Sequence, residues 1–262
     1  MIRALYTAAS GMSAQQLNLD TIANNLANSS TTGFRQLSLE FQDMVYQNLV
    51  TPGAAQSETT VSAGLQIGLG TKSAATEVIM TQGSLNQTSN PLDVAIEGSG
   101  FFQVQRPDGS IAYTRAGQFH LNSQGTIVTT DGDPIIPTIT IPSNATAITI
   151  TQYGMVNATL PGQQNPSQLG QLQLATFPNP GGLEQMGSNL LTATLNSGNP
   201  VTGNPGGTEG LGTMQQGYLE NSNVDVVTMF VQMVLAQRAY EANSKVIKAA
   251  DDMYSQVNNM TH

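Results

Sequence analysis

The chain has 262 residues, 8 Lys+Arg against 17 Asp+Glu, a formal net charge of −9, and only 10% charged residues, where an ordinary soluble domain carries about 25%. With no Cys, no Trp and two His, it excludes a disulfide framework, a thiolate zinc site and a cysteine nucleophile. Its cations are scattered, which excludes nucleic acid as a partner, and no apolar run approaches the roughly 18 residues of a membrane-spanning helix.

Residues 1–28 read as a helix. Ile2, Ala9, Gln16 and Ala23 share one heptad position, and Leu5, Met12, Leu19 and Leu26 share the position three residues on. All but Gln16 are apolar, the pattern of a coiled-coil seam. Gly11 weakens the helix by roughly 1 kcal/mol relative to Ala, which a packed seam tolerates. Asn28 and the Ser-Ser-Thr-Thr-Gly33 run end the pattern with turn chemistry. The segment lacks the apolar core of a secretory signal, so any export is expected to proceed without a cleaved signal peptide.

Residues 36–75 read as an extended connecting segment. The stretch from about 60 to 220 reads as β. The runs 101–106 and 110–115 flank Asp108-Gly109, a hairpin signal. Short alternating runs follow at 118–122, 126–129, 138–141, 147–151, 155–160 and 170–177, separated by turn clusters. Residues 196–213 are rich in Gly, Asn and Pro and read as a long surface loop.

From 223 onward no Gly or Pro interrupts the chain. Val226, Met233, Tyr240, Ile247 and Tyr254 form one seam position, and Met229, Ala236, Asn243, Ala250 and Val257 the other. A second apolar stripe runs through Leu235, Ala239, Ala242, Val246, Ala249, Met253 and Met260. Ser222 and Asp225 read as a capping box, and Glu241 precedes Lys245 by four residues, the favourable order for a helix ion pair. At 1.5 Å per residue this helix reaches roughly 57 Å. A lone polar residue in a seam sets register, which is the role expected of Asn243 and of Gln16 on the first helix.

No residue constellation points to catalysis, a cofactor or a metal. Gly68-Leu69-Gly70 completes neither a dinucleotide fingerprint nor a phosphate loop. Asp131 and Asp133 lack the remaining ligands of a calcium loop. His120 has no His or Cys partner nearby, and Ser99 is a turn serine. The expected fold is α+β, with discontinuous N- and C-terminal long helices forming a coiled-coil domain around an inserted all-β domain. The expected division is 1–35 with 222–262 for the helical assembly domain, 36–75 with 209–221 for the connecting segment, and 76–208 for the β-rich outer domain. One helix partner covers only one apolar stripe of the last helix. The second stripe packs either on the β domain or on neighbouring copies of the chain.

Three long motifs carry a resemblance. Ala23-Asn24-Asn25-Leu26-Ala27-Asn28 with Thr32-Gly33-Phe34-Arg35 is similar to the N-terminal signature of the bacterial flagellar rod and hook family. Gln237-Arg238-Ala239-Tyr240-Glu241-Ala242-Asn243-Ser244-Lys245 is similar to its C-terminal signature. Residues 93–102 and 113–117 resemble its central β motif. The stretch with Tyr46, Pro52, Gly53, Gly64 and Ile67 resembles the long loop of the distal-rod members, and the resemblance implies that this loop reaches a neighbouring subunit. Phe41 and Val45 resemble a short export-gate motif, a spacing that one turn of an amphipathic helix also produces.

The resemblance implies a non-enzymatic, cofactor-free subunit of a helical homopolymer: the distal rod, a straight hollow drive shaft running from periplasm to outer membrane. Its implied partners are further copies of itself, proximal rod subunits, the hook protein, the periplasmic and outer-membrane bushing rings and the flagellar type III export apparatus. The implied seam is Leu5, Met12, Leu19 and Leu26 with Val226, Met229, Met233, Tyr240, Asn243, Ile247 and Tyr254. The alternatives are a proximal rod or hook-type subunit, an extracellular adhesin with the β domain as its binding end, or an enzyme acting on wall polymer.

Overall fold

The computed structural model describes residues 2–50, 55–56, 59–60, 64–163, 165–207 and 210–260. The fold is α+β: a helix at each end of the chain and many short strands between them. The chain forms two compact units, each discontinuous in sequence. One comprises Met1–Leu26, Leu37–Glu77 and Asp225–His262, the other Ala27–Gln36 and Val78–Val224.

The first unit holds both helices, α1 (Ile2–Ala27) and α2 (Val226–Met260). They run antiparallel. Gly11 of α1 lies against Asn243 of α2, where an added Cβ would come within 2.9 Å of Asn243 Nδ2, and the Asn25 Nδ2 lies 4.0 Å from the Met229 sulfur. Fourteen residues separate the two contacts on either helix, so the pair keeps one register over about four turns.

The capping of α2 differs from the sequence expectation. Asp225, not Ser222, is the N-cap: its carboxylate accepts the Val227 amide at 3.1 Å and the Thr228 hydroxyl at 2.6 Å, while its carbonyl takes the Met229 amide. The Ser222 hydroxyl instead accepts the Val224 amide. Hydrogen bonds from Thr228 and Val227 hold the Asp225 carboxyl below its ordinary value of 3.8. A folded-state pKa below the unfolded one adds stability at higher pH, lost as pH falls through and below the carboxylate range. The first turn of α2 is therefore expected to fray on acidification below about pH 4. Asp225→Asn, which keeps the acceptor, is expected to flatten that dependence; helical circular dichroism as a function of pH checks it.

Between the helices, residues 37–78 are not a plain extended segment. β1 (Leu37–Asp43) pairs with β6 (Thr71–Val78), β2 (Tyr46–Val50) with β5 (Leu65–Gly68), and β3 (Ala55–Gln56) with β4 (Thr59–Thr60). The three pairs nest as one long hairpin. Tyr46, Gln47 and Asn48 oppose Gly68, Ile67 and Gln66, with a bulge before Val50. Strand-forming residues at both ends outweigh the Gly, Ser and Thr between them. The Tyr46 ring covers Gly68, where an added Cβ would touch it at 3.4 Å, a pairing that shields a strand glycine.

Among its described residues the second unit is all-β apart from one short 3₁₀ turn. In chain order it holds β7 (Leu85–Gln87), β8 (Val94–Glu97), β9 (Phe101–Gln105), β10 (Ile111–Thr114), β11 (His120–Leu121), β12 (Ile127–Val128), β13 (Ile135–Ile136), β14 (Ala147–Ile150), β15 (Met155–Thr159) and β16 (Ser167–Gln171). There follow β17 (Leu174–Thr176), β18 (Glu184–Gly187), β19 (Leu190–Thr192), β20 (Val201–Gly203), β21 (Thr213–Gln216) and β22 (Tyr218–Glu220). The principal sheet has the order β18-β19-β10-β9-β17-β20, with β13 also on β9. Alternation along β9 feeds two cores. Phe102 sits edge-on to Phe119 at 5.0 Å among Val94, Ile96, Ile127 and Leu174, and Phe101 packs with Tyr113 and Phe177.

The Asp108-Gly109 hairpin forms as expected, Ile111 to Thr114 opposing Gln105 to Phe102. Other expectations shift. The 138–141 run is bridged only at Thr140, and the strand is Ile135–Ile136. The 170–177 run splits between two sheets at β16 and β17, and Val201–Gly203 inside the expected loop is a strand paired with β17. Ser188 and Asn189, both at positive φ, turn the β18–β19 hairpin, the backbone demanded by a two-residue loop.

Candidate assembly surface

On α1, Leu5, Met12, Leu19 and Leu26 are half-buried and share their face with buried Ala8 and Ile22, whereas Ala9, Gln16 and Ala23 are exposed. The covered face is thus rotated from the expected one. Gln16 does not meet Asn243; Gly11 does. At Gly11 α1 has no side chain, and the Asn243 amide occupies the space that a Cβ there would need.

On α2, Met229, Ala236 and Ala250 are buried, and Met233, Asn243 and Ile247 are half-buried on the same face. Val226, Tyr240 and Tyr254 lie at its exposed margin. Large apolar side chains on the other faces of the helix are exposed. Val227 is 72% exposed and Leu235 63%, with Phe230, Val231, Val234, Val246, Met253 and Met260 also open. Over Val226–Ala236 only Thr228 and Gln232 are polar. A helix apolar on all sides belongs inside a larger packed body, yet here one face alone is covered. Glu241 pairs with Arg238 at 3.1 Å rather than with Lys245; both partners are exposed and the pair contributes little.

The long hairpin is similarly bare. Phe41, Val45, Tyr46, Leu49, Leu65 and Ile67 are exposed, and Gly64 is half-buried. Pro52 and Gly53 lie outside the described residues. Phe41 stands on β1 and Val45 in the turn to β2, so in the folded subunit their spacing is not that of a helix turn.

Asn25 joins α1 to the hairpin. It is buried; its Nδ2 donates to the Leu37 carbonyl at 2.7 Å and its Oδ1 accepts the Leu37 amide at 2.9 Å. The side-chain amide stands in for a neighbouring strand. Asn25→Ala leaves both groups unpaired, and each such loss costs about 1–3 kcal/mol. The expected result is a lower melting temperature and faster exchange of the Leu37 amide, readable by hydrogen exchange.

In the second unit the Thr32–Arg35 part of the N-terminal motif and both stretches of the central β motif converge on a residue that neither motif contains. Glu220 is fully buried. Its carboxylate takes Arg35 at 2.6 Å, Arg115 at 3.4 Å and the Gly83 amide at 2.9 Å, and its carbonyl takes the Gly33 amide at 2.8 Å. Arg115 also donates to the carbonyls of Ile96 and Gly98 and lies 5.4 Å from the Phe101 ring centroid. Burial pushes the Arg115 guanidinium down to about 10, against the pull of Glu220 and with help from Arg35; it stays charged at neutral pH. Gly33, at φ +70°, lies so near Ala116 that an added Cβ would come within 2.6 Å of its amide nitrogen. The knot locks the Thr32–Arg35 motif to the 93–102 and 113–117 motifs. Its signal in the sequence is indirect: two arginines embedded in apolar motifs require an anion from elsewhere.

Sequence comparison places this geometry. Residues 5–35 match the model of the flagella basal body rod protein, 95–158 that of the flagellar hook protein FlgE/F/G D1 domain, and 215–260 that of the flagellar basal body rod FlgEFG protein C-terminal region. The flagellar basal-body rod protein FlgG of Buchnera aphidicola (from Acyrthosiphon pisum) is 48% identical over 99% of this chain and 100% of its own length. The proteins of that name from Caulobacter vibrioides and Borreliella burgdorferi are 48% identical over 96% and 46% identical over 99% of this chain, covering 97% and 99% of their own lengths. The chain belongs to the FlgG family of flagellar basal-body rod proteins. As a FlgG-family member it is a structural rod subunit of the distal-rod type, not an enzyme. No described helix is long and apolar enough to cross a membrane.

Proposed function

We propose that copies of this chain pack side by side through α1 and α2, wound as a coiled coil, to form the inner wall of a straight, rigid, hollow distal rod. The β-rich unit stands as an inserted domain outside that wall. The long hairpin, with Tyr46, Gly64, Ile67 and the Pro52-Gly53 segment, lies across a neighbouring subunit and resists bending. Torque passes from motor to hook through these contacts, and later subunits pass along the bore. The partners are proximal rod subunits at one end, hook protein at the other, and the periplasmic and outer-membrane rings around the shaft. Delivery is by the flagellar type III export apparatus, with Phe41 and Val45 read in the unfolded chain.

The observation that carries this reading is the apolar girth of α2 over Val226–Ala236, covered on one face only. Such a helix needs neighbours on its remaining sides, and further copies supply them. Electron microscopy of flagellar basal structures from cells lacking the chain tests it. A rod that stops short, with no straight distal segment and no hook, is the expected result. A complete rod lacking only the curved hook would make this a hook-type subunit, and intact structures would overturn the proposal.

A further inference from the structure

Beyond the Asn25–Leu37 bonds at its base, the long hairpin meets α1 again where its two legs are tied together at Gly70 and Thr71. The Met44 amide donates to the Gly70 carbonyl at 2.8 Å and the Thr71 hydroxyl to the Gln42 carbonyl at 3.1 Å, tying the two legs together. The Thr71 amide reaches Ser10 Oγ of α1 at 3.4 Å, and that hydroxyl donates to the Thr7 carbonyl at 2.9 Å. Gly70 sits between them at φ +123°, a conformation that side chains rarely adopt. A Cβ added there would overlap Ser10 Oγ and lie 3.5 Å from the Thr7 Cα. Beyond this root, the described residues of β2 and β5 bury no side chain: Tyr46–Leu49 and Leu65–Ile67 are all exposed. Apolar packing therefore does not aim the ribbon.

We infer that Gly70 and Ser10 are positioning residues: their close contact sets the angle at which the β2–β5 ribbon leaves α1. The inference rests on the assembly reading above for its consequence, since the angle decides which part of a neighbour the ribbon meets. The contact itself is a property of the single subunit. Gly70→Ala has no room and the wrong backbone preference, so the legs must shift away from α1. Ser10→Ala removes the hydroxyl that the Thr71 amide uses while leaving the helix intact, and it keeps the test alive if Gly70→Ala folds poorly.

The chain has no cysteine, so Gln16→Cys and Asn48→Cys place two spin labels on the full chain, one on α1 and one on the ribbon, both at exposed positions. Pulsed dipolar spectroscopy on the unassembled subunit should give one narrow distance peak. Gly70→Ala should displace that peak and Ser10→Ala should broaden it, with far-ultraviolet circular dichroism unchanged. A peak that neither substitution moves, or a loss of helix in both variants, would overturn the inference. Polymer formed from the same proteins separates the two readings. Failure of the unsubstituted chain to form tubes counts against the tube, whereas straight tubes from a chain with a displaced ribbon sever the ribbon's angle from stiffness.

Discussion

Glu220→Gln is expected to lower the stability of the β-rich unit by about 3–5 kcal/mol, the usual cost of removing one partner from a buried ion cluster. The substitution keeps the shape and an acceptor for the Gly83 amide but removes the charge that, among the described residues, pairs with Arg35 and Arg115, both under a tenth exposed. For a unit of this size the melting temperature should fall by roughly 10 °C. The mechanism has a second, less obvious outcome. Arg35 Nε and Nη1 and Arg115 Nε are already buried without a partner, so the knot is imperfectly satisfied. Replacing all three residues together, as Arg35→Met, Arg115→Leu and Glu220→Leu, should recover much of the loss, leaving the Gly83 amide and the Gly98 carbonyl as residual costs. Thermal denaturation of the single and triple variants checks both. A single variant as stable as the parent would mean that the charges are not the constraint.

Leu235→Glu is expected to leave the subunit folded and abolish its polymer. Leu235 is 63% exposed, and glutamate is an adequate helix former, so the stability of the subunit should change by less than about 0.5 kcal/mol. In an assembly that encloses this side of α2, the same carboxylate is buried without a partner. A penalty of about 4 kcal/mol corresponds to a critical concentration raised on the order of 1000-fold. Ala236→Glu, one residue on but buried against the subunit itself, should instead disrupt the α1–α2 pair. Sedimentation of polymer alongside circular dichroism of the subunit separates the two, and polymerisation of Leu235→Glu at the parent concentration would remove this face from the interface.

The contrast between these two positions shows what the sequence makes legible. On α2 the residues covered within the subunit, Met229, Met233, Ala236, Asn243, Ile247 and Ala250, lie at heptad spacing, although large apolar residues stand on its exposed sides as well. On α1 the phase is ambiguous. Ala8 and Ala9 are equally apolar, and periodicity cannot tell which of them faces a partner; Gly11, read only as a weakness, is where the Asn243 side chain seats against α1. The Asp108-Gly109 turn carries its own hairpin, whereas the nested pairing of β1 with β6 joins residues some thirty apart and leaves no local mark. Glu220 is invisible for the same reason: one acid in a β run gains meaning only when two distant arginines close around it.

The discontinuity of the helical unit has a temporal meaning. α1 and α2 are separated in sequence by every strand of the fold, so their pair exists only after the chain between them has been made. Under the assembly reading proposed above, a copy that lacks either helix lacks the pair that presents α2 to a neighbour, so competence to polymerise reports that both helices are present in one copy.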